Sequence, residues 1–233
     1  MSCVSFRLLC FLSLPLWWGL LACNQGNERH RGQEALRLGD YERARQNWAQ
    51  ILDLNPADAE ARFGMSMSYF SEARQLDREH RPSVDAWEAA VREFRILLQI
   101  DSTQTIRSMA STSLFQVARN RLSEEHFNQA DALLDEALHS DSSNWFAWNL
   151  KGLALEGLGR PEDAQACYEQ IIGRNPDFIS AYVNLGNLHW SKGRAEDAWD
   201  DWSLGLQRDT ANVYLKHWVE RAANRLKEKD VQK

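Results

Sequence analysis

Histidine, cysteine and paired carboxylates are the side chains that could do acid–base, metal or nucleophilic chemistry in this 233-residue chain. Their spacing supports none of the three. The six histidines stand at 30, 80, 126, 139, 189 and 217. No two share a helical face four residues apart, and no His/Cys cluster has the spacing of a zinc site. His139, in the run His139-Ser140-Asp141, falls at the end of a helical segment, where a histidine caps or is solvated. Cys167 adjoins Tyr168 at a packing position and reads as a small apolar filler rather than a nucleophile. The glycines of GLALEGLG at 152–159 lack the preceding strand and the following Gly-Lys-Ser/Thr of a phosphate loop. Glu124-Glu125 and Asp200-Asp201 suit turns and solvated faces. The expectation is a chain that is not an enzyme, with no catalytic or metal residues, no cofactor and no small-molecule substrate.

Composition narrows the remaining classes. The chain is 44% hydrophobic and 26% charged, the balance of a folded protein. Its net charge of −6 argues against nucleic-acid or anionic-membrane binding by bulk electrostatics. Cys3, Cys10 and Cys23 sit in or at the end of an N-terminal apolar segment, which leaves no disulfide framework.

That segment, MSCVSFRLLCFLSLPLWWGLLAC, has one basic residue, Arg7, ahead of an apolar stretch from Leu8 to Ala22. Fifteen residues at about 1.5 Å each fall short of a roughly 30 Å hydrocarbon core. Pro15 and Gly19 weaken it further as a spanning helix. A basic start, a short apolar core and a small residue before the cut form a secretory leader. Leu20-Leu21-Ala22-Cys23 resembles the lipobox of bacterial lipoproteins. The resemblance implies a signal peptide over 1–22, cleavage, and acylation (palmitate among the chains) of Cys23 as the new N-terminus. Two or more acyl chains, at about 0.8 kcal/mol per buried methylene, make a stable anchor. An ordinary signal peptide with a chance cysteine, or an uncleaved anchor, are the alternatives. Residues 23–33 read as the lipidated cysteine and a short polar tether. Asn24 follows the cysteine where aspartate would signal inner-membrane retention, so the resemblance points to the outer membrane, facing the periplasm.

The rest of the chain repeats. Segments 111–144, 145–178 and 179–212 are each 34 residues long. Ala130, Ala164 and Ala198 recur at one place, preceded by Ala118, Gly152 and Gly186 and followed by Leu134, Tyr168 and Trp202. Small residues at two fixed positions let two helices approach, and the bulky residue fills the space beside them. A 34-residue period with this pattern resembles the tetratricopeptide repeat, a helix–turn–helix unit whose copies stack. The resemblance implies an all-α solenoid over 25–212 with five repeats, 25–58, 59–104, 111–144, 145–178 and 179–212. In the first, Gly32, Gly39, Ala44, Trp48 and Pro56 fit the pattern. The second carries an insertion near 71–84, and six further residues precede the third. Segment 213–229 has one apolar face and reads as a capping helix. Trp48, Trp87, Trp148, Tyr168, Tyr182, Trp199, Trp202 and Trp218 are expected to be packing residues.

In tetratricopeptide-repeat proteins, fixed positions of each first helix face a concave groove. Carried onto this chain they select Phe63, Met67 and Phe70, then Phe115, Arg119 and Leu122. They further select Phe146, Asn149, Leu153 and Glu156, and finally Val183, Asn187 and Trp190. These form a mostly apolar peptide groove with polar fixing points. The alternative is that these residues pack against the insertion, the tether or a second copy. Asn184 and Asn187 fit two positions of a carboxylate clamp, but its lysines are missing.

The resemblance implies a membrane-anchored scaffold on the bacterial envelope. It binds a protein or peptide partner through the groove during assembly of an envelope complex such as a pilus or secretin system. The alternative is a permanent structural subunit of an oligomeric envelope complex, with the groove buried.

Overall fold

A computed structural model describes the backbone of residues 14–231 and the side chains of 26–228. The proposed signal peptide and Cys23 therefore lie outside the described residues, save for the backbone of 14–23. Among the described residues the fold is all-α, with no strand. The chain divides into two compact units, one through Ile106 and one from Arg107.

The first unit holds α1 (Leu14–Leu38), α2 (Tyr41–Leu54), α3 (Ala59–Arg78) and α4 (Val84–Leu97), each packed on the next. Helix α5 (Gln104–Ser123) begins at its end and continues in the second unit. There follow α6 (Phe127–Ser140), α7 (Trp145–Gly157), α8 (Pro161–Arg174), α9 (Ile179–Ser191), α10 (Ala195–Arg208) and α11 (Val213–Val231). Five helical hairpins and a terminal helix result, in the order the period requires.

The small residues do what their spacing implies. Ala44, Ala130, Ala164 and Ala198 are wholly buried, each at the fourth residue of its helix. A methyl group on Gly152 would meet the Tyr168 ring at 2.4 Å, and one on Gly186 would meet Trp202 at 2.3 Å. The two helices of these hairpins therefore touch backbone to ring. Trp48 is gripped from both sides, by Gly32 on α1 and Gly64 on α3.

The turn inside each hairpin is the same in all five. Its central residue has positive φ: Gly39, His80, Glu125, Gly159 and Gly193. The next N–H reaches back to a carbonyl five residues earlier, as Arg160 to Leu155 and His126 to Arg121, both at 2.9 Å. This is the closure that favours glycine after a helix. At His80 and Glu125 a side chain bears the left-handed strain. Glu125→Gly is expected to stabilise the second unit by about 0.5–1 kcal/mol, read as a higher urea midpoint.

Four sequence expectations change. Residues 26–33, expected as a tether, are helical and belong to α1. Arg29 bonds Asp58 and Glu60 at the start of α3, and Glu28 and Ala35 are buried. The insertion near 71–84 is mostly helix, because α3 runs on to Arg78 before a short connection. Asp77 closes that connection by accepting from the Ser83 hydroxyl and the Trp87 indole N–H. The six residues before the third repeat lengthen α5 at its start. Trp199, expected to pack, is 36% exposed. It lies one residue past Ala198 and so turns off the buried face that Ala198 and Trp202 share.

Candidate functional site: the first-helix face of the second unit

Each unit carries part of the expected groove. In the first, Phe63 and Met67 are half-buried on α3. Phe70 is buried at 6% exposure, edge-on to Trp87 at 5.3 Å and to Phe94 at 6.1 Å. It belongs to the core and not to a groove, because the lengthened α3 carries it under α4.

In the second unit the helices α5, α7 and α9 bring the selected residues onto neighbouring faces. Phe115 lies 6.3 Å from Phe146, and Phe146 lies 5.3 Å from Phe178. The three rings form one aromatic line across successive hairpins. Phe146 is its open member, 65% exposed although it is the second residue of an ordered helix. Asn144 fixes the line: its side chain caps α7 at the Ala147 N–H and donates to Ser111 on α5 at 2.9 Å. Phe178, the residue ahead of α9, is a member that sequence reasoning missed. Its signal was an aromatic one hairpin after Trp145-Phe146, one residue ahead of the first-helix positions.

The polar positions are partly committed. Asn184 donates to Asn149 across α9 and α7 at 2.8 Å. That bond uses one donor and one acceptor and leaves the rest of each amide for a partner. Asn187 accepts from the Tyr214 hydroxyl at 3.0 Å. Glu156 accepts from Tyr168 at 2.6 Å; burial first, and then this carboxylate, push the phenol well above its ordinary value. Glu156 is thus a packing partner. Arg119 is exposed, Leu122 half-buried, and Leu153 36% exposed.

Val183 and Trp190 are instead half-buried against the core of the last hairpin. Trp190 contacts Trp202 at 5.8 Å and Trp218 at 5.7 Å, and the Val183 carbonyl accepts from the Trp202 indole. The terminal helix α11 covers them, which removes them from the open face. The face that remains is Phe115, Phe146, Phe178 and Leu153, with Leu122 at its edge and Arg119, Asn149 and Asn187 as polar points. It offers apolar area and hydrogen-bonding groups to a polypeptide.

Elsewhere, burial pushes the Cys167 thiol up to about 11, which suits a packed filler. No set of three His, Cys, Asp or Glu among the described residues could hold a metal ion. No helix among them is long and apolar enough to cross a membrane.

Known proteins share this architecture. The chain is 29% identical over 100 residues to the STIP1 homolog of Dictyostelium discoideum, which is 43% of this chain and 18% of that protein. It thus spans less than a fifth of that relative's length. Among solved structures, YrrB, described as a TPR protein with an unusual peptide-binding site, superposes with a TM-score of 0.53. There 17% of residues are identical, over 80% of this chain and 87% of that one. Pseudomonas aeruginosa pilF superposes with a TM-score of 0.50 at 17% identity, over 89% of this chain and 86% of that one. At such identities the likeness is one of fold. The tetratricopeptide repeat model matches residues 30–93, 116–164 and 151–211, well over half of the sequence and all five hairpins. With the alanines and glycines of the period buried at the helix crossings, the chain belongs to the tetratricopeptide repeat family.

Proposed function

We propose that this protein is a lipid-anchored scaffold of the bacterial envelope that grips a polypeptide on the first-helix face of its second unit. The observation that carries the reading is the aromatic line. Phe146 stands 65% exposed on a well-capped helix, between two further phenylalanines and beside Leu153. Exposed apolar surface held rigid has a cost in solubility that a monomer has no reason to bear unless a partner covers it. Asn149 and Asn187 supply main-chain recognition beside it. The lipobox-like Leu20-Leu21-Ala22-Cys23 supports the anchor, and the resemblance to envelope lipoproteins supports a pilus or secretin system as the setting.

Phe146→Ala with Leu153→Ala is expected to weaken capture of the partner at least tenfold in a membrane crosslinking pull-down, with far-UV circular dichroism unchanged. Truncating exposed side chains removes contact area at little cost to the fold. Unchanged capture contradicts the assigned face. Cys23→Ser is expected to move the protein from the membrane to the soluble fraction and to abolish palmitate incorporation. A variant that stays with the membrane contradicts the anchor.

A further inference from the structure

A cleft of about 520 Å3 opens between Trp190, near the end of α9, and the outer stripe of α11. Arg221 and Arg225 line it, one helical turn apart. Each guanidinium is laid over an indole: Arg225 over Trp190 at 4.6 Å and Arg221 over Trp218 at 4.9 Å. Neither lies within 4 Å of a carboxylate among the described residues. Stacking fixes the plane of a guanidinium and leaves its N–H edge free, the arrangement that takes a carboxylate in two parallel hydrogen bonds. Two cations are thus held rigid and unneutralised in a concave site of a chain whose net charge is negative. The sequence reading treated α11 as a cap alone.

We infer that this cleft binds an acidic pair in a partner peptide, two Asp or Glu side chains separated by one residue. Side chains one turn apart on a helix have Cβ atoms about 5–6 Å apart. In an extended peptide, alternate side chains share a face and stand about 6.6 Å apart. The two spacings match, so each arginine takes one carboxylate. Asn224, between them on the same stripe, can bond the peptide backbone. Glu220 and Glu228 flank the arginines and repel a longer acidic run, which limits the ligand to two negative charges. The inference rests on the polypeptide-binding reading above and adds the chemistry of the ligand.

The test is an array of C-amidated octapeptides of randomised sequence carrying Asp-X-Asp or Glu-X-Glu, beside matched Asn-X-Asn and Gln-X-Gln versions and free-acid copies. The full-length protein is expected to favour the acidic-pair peptides at least tenfold, and 0.5 M NaCl should erase most of that preference. Arg221→Gln with Arg225→Gln should abolish it; both sites are exposed and glutamine keeps helix propensity. Equal capture of acidic and amide peptides, or a preference that survives the double variant, overturns the inference. So does capture that needs only a free C-terminus, which would make the ligand a single terminal carboxylate. Capture that ignores the acidic pair yet falls with Phe146→Ala leaves the proposed function standing and removes this site. Capture of no peptide in any arm removes both.

Discussion

Trp202→Ala is expected to destabilise the second unit by about 3–5 kcal/mol, the largest effect of any single truncation in it. The ring is wholly buried and fills the place where α9 and α10 cross, with Gly186 flush against its indole nitrogen. It also meets Trp218 at 5.1 Å and Trp190 at 5.8 Å, so it joins the last hairpin to α11. Removing it takes away the transfer free energy of the ring and leaves a hole. A glycine on the facing helix has no side chain with which to fill that hole. The indole N–H to Val183 carbonyl bond, at 3.3 Å, goes with it. Urea unfolding followed by circular dichroism measures the loss. Hydrogen exchange should show α11 losing protection before α7 and α8, because α11 depends on this cluster. Trp199→Ala, three residues away and exposed, should change stability by no more than about 0.5 kcal/mol. Similar losses at the two sites would contradict the packing described here.

The contrast between those two tryptophans marks how far the sequence was legible. The period of alanines and glycines fixed where helices cross, because only small residues permit the contact, and each such position is buried as expected. The period does not fix how long a helix runs past its crossing. The extra turns of α3 and α5 were therefore unreadable, and with α3 went the burial of Phe70. Glycine announced three of the five hairpin turns. His80 and Glu125 occupy the same left-handed conformation with no signal, since the turn is imposed by the hairpins around it. Of the open face, Phe115, Phe146, Asn149 and Leu153 are selected by carrying the repeat family's first-helix positions onto the sequence. Val183 and Trp190 could not be assigned correctly, because their covering partner, α11, is no repeat. For the same reason the basic stripe of α11 carried no signal: its meaning depends on Trp190 of α9 as well as on Trp218 of the same helix.

Raising the pH from 4 to 8 is expected to weaken the second unit, and Asp201→Asn should reverse the direction of that dependence. Asp201 on α10 faces His189 on α9, with Oδ2 to Nδ1 at 2.7 Å and both side chains nearly closed off from solvent. Burial pushes the Asp201 carboxyl up to about 7, and the neighbouring Asp197, Asp200 and Glu169 push the same way against Arg194. Burial also holds His189 below its ordinary value. Arg194 and Lys192 act with burial, against Asp197 and Glu169. Each member thus favours its uncharged form. A carboxyl raised in the folded state binds its proton more tightly folded than unfolded. Its stabilisation is complete below its unfolded value of 3.8 and is lost as pH climbs through about 7. The lowered histidine acts in the opposite sense: its contribution is present above 6.5 and is lost as pH falls through its depressed value. The carboxyl shift is the larger, so stability falls with rising pH by roughly 2–4 kcal/mol. An asparagine keeps the shape and cannot ionise, which leaves only the histidine and a stability that rises with pH. Urea midpoints at four pH values decide it, and parallel profiles for the two proteins would mean that Asp201 is ionised throughout.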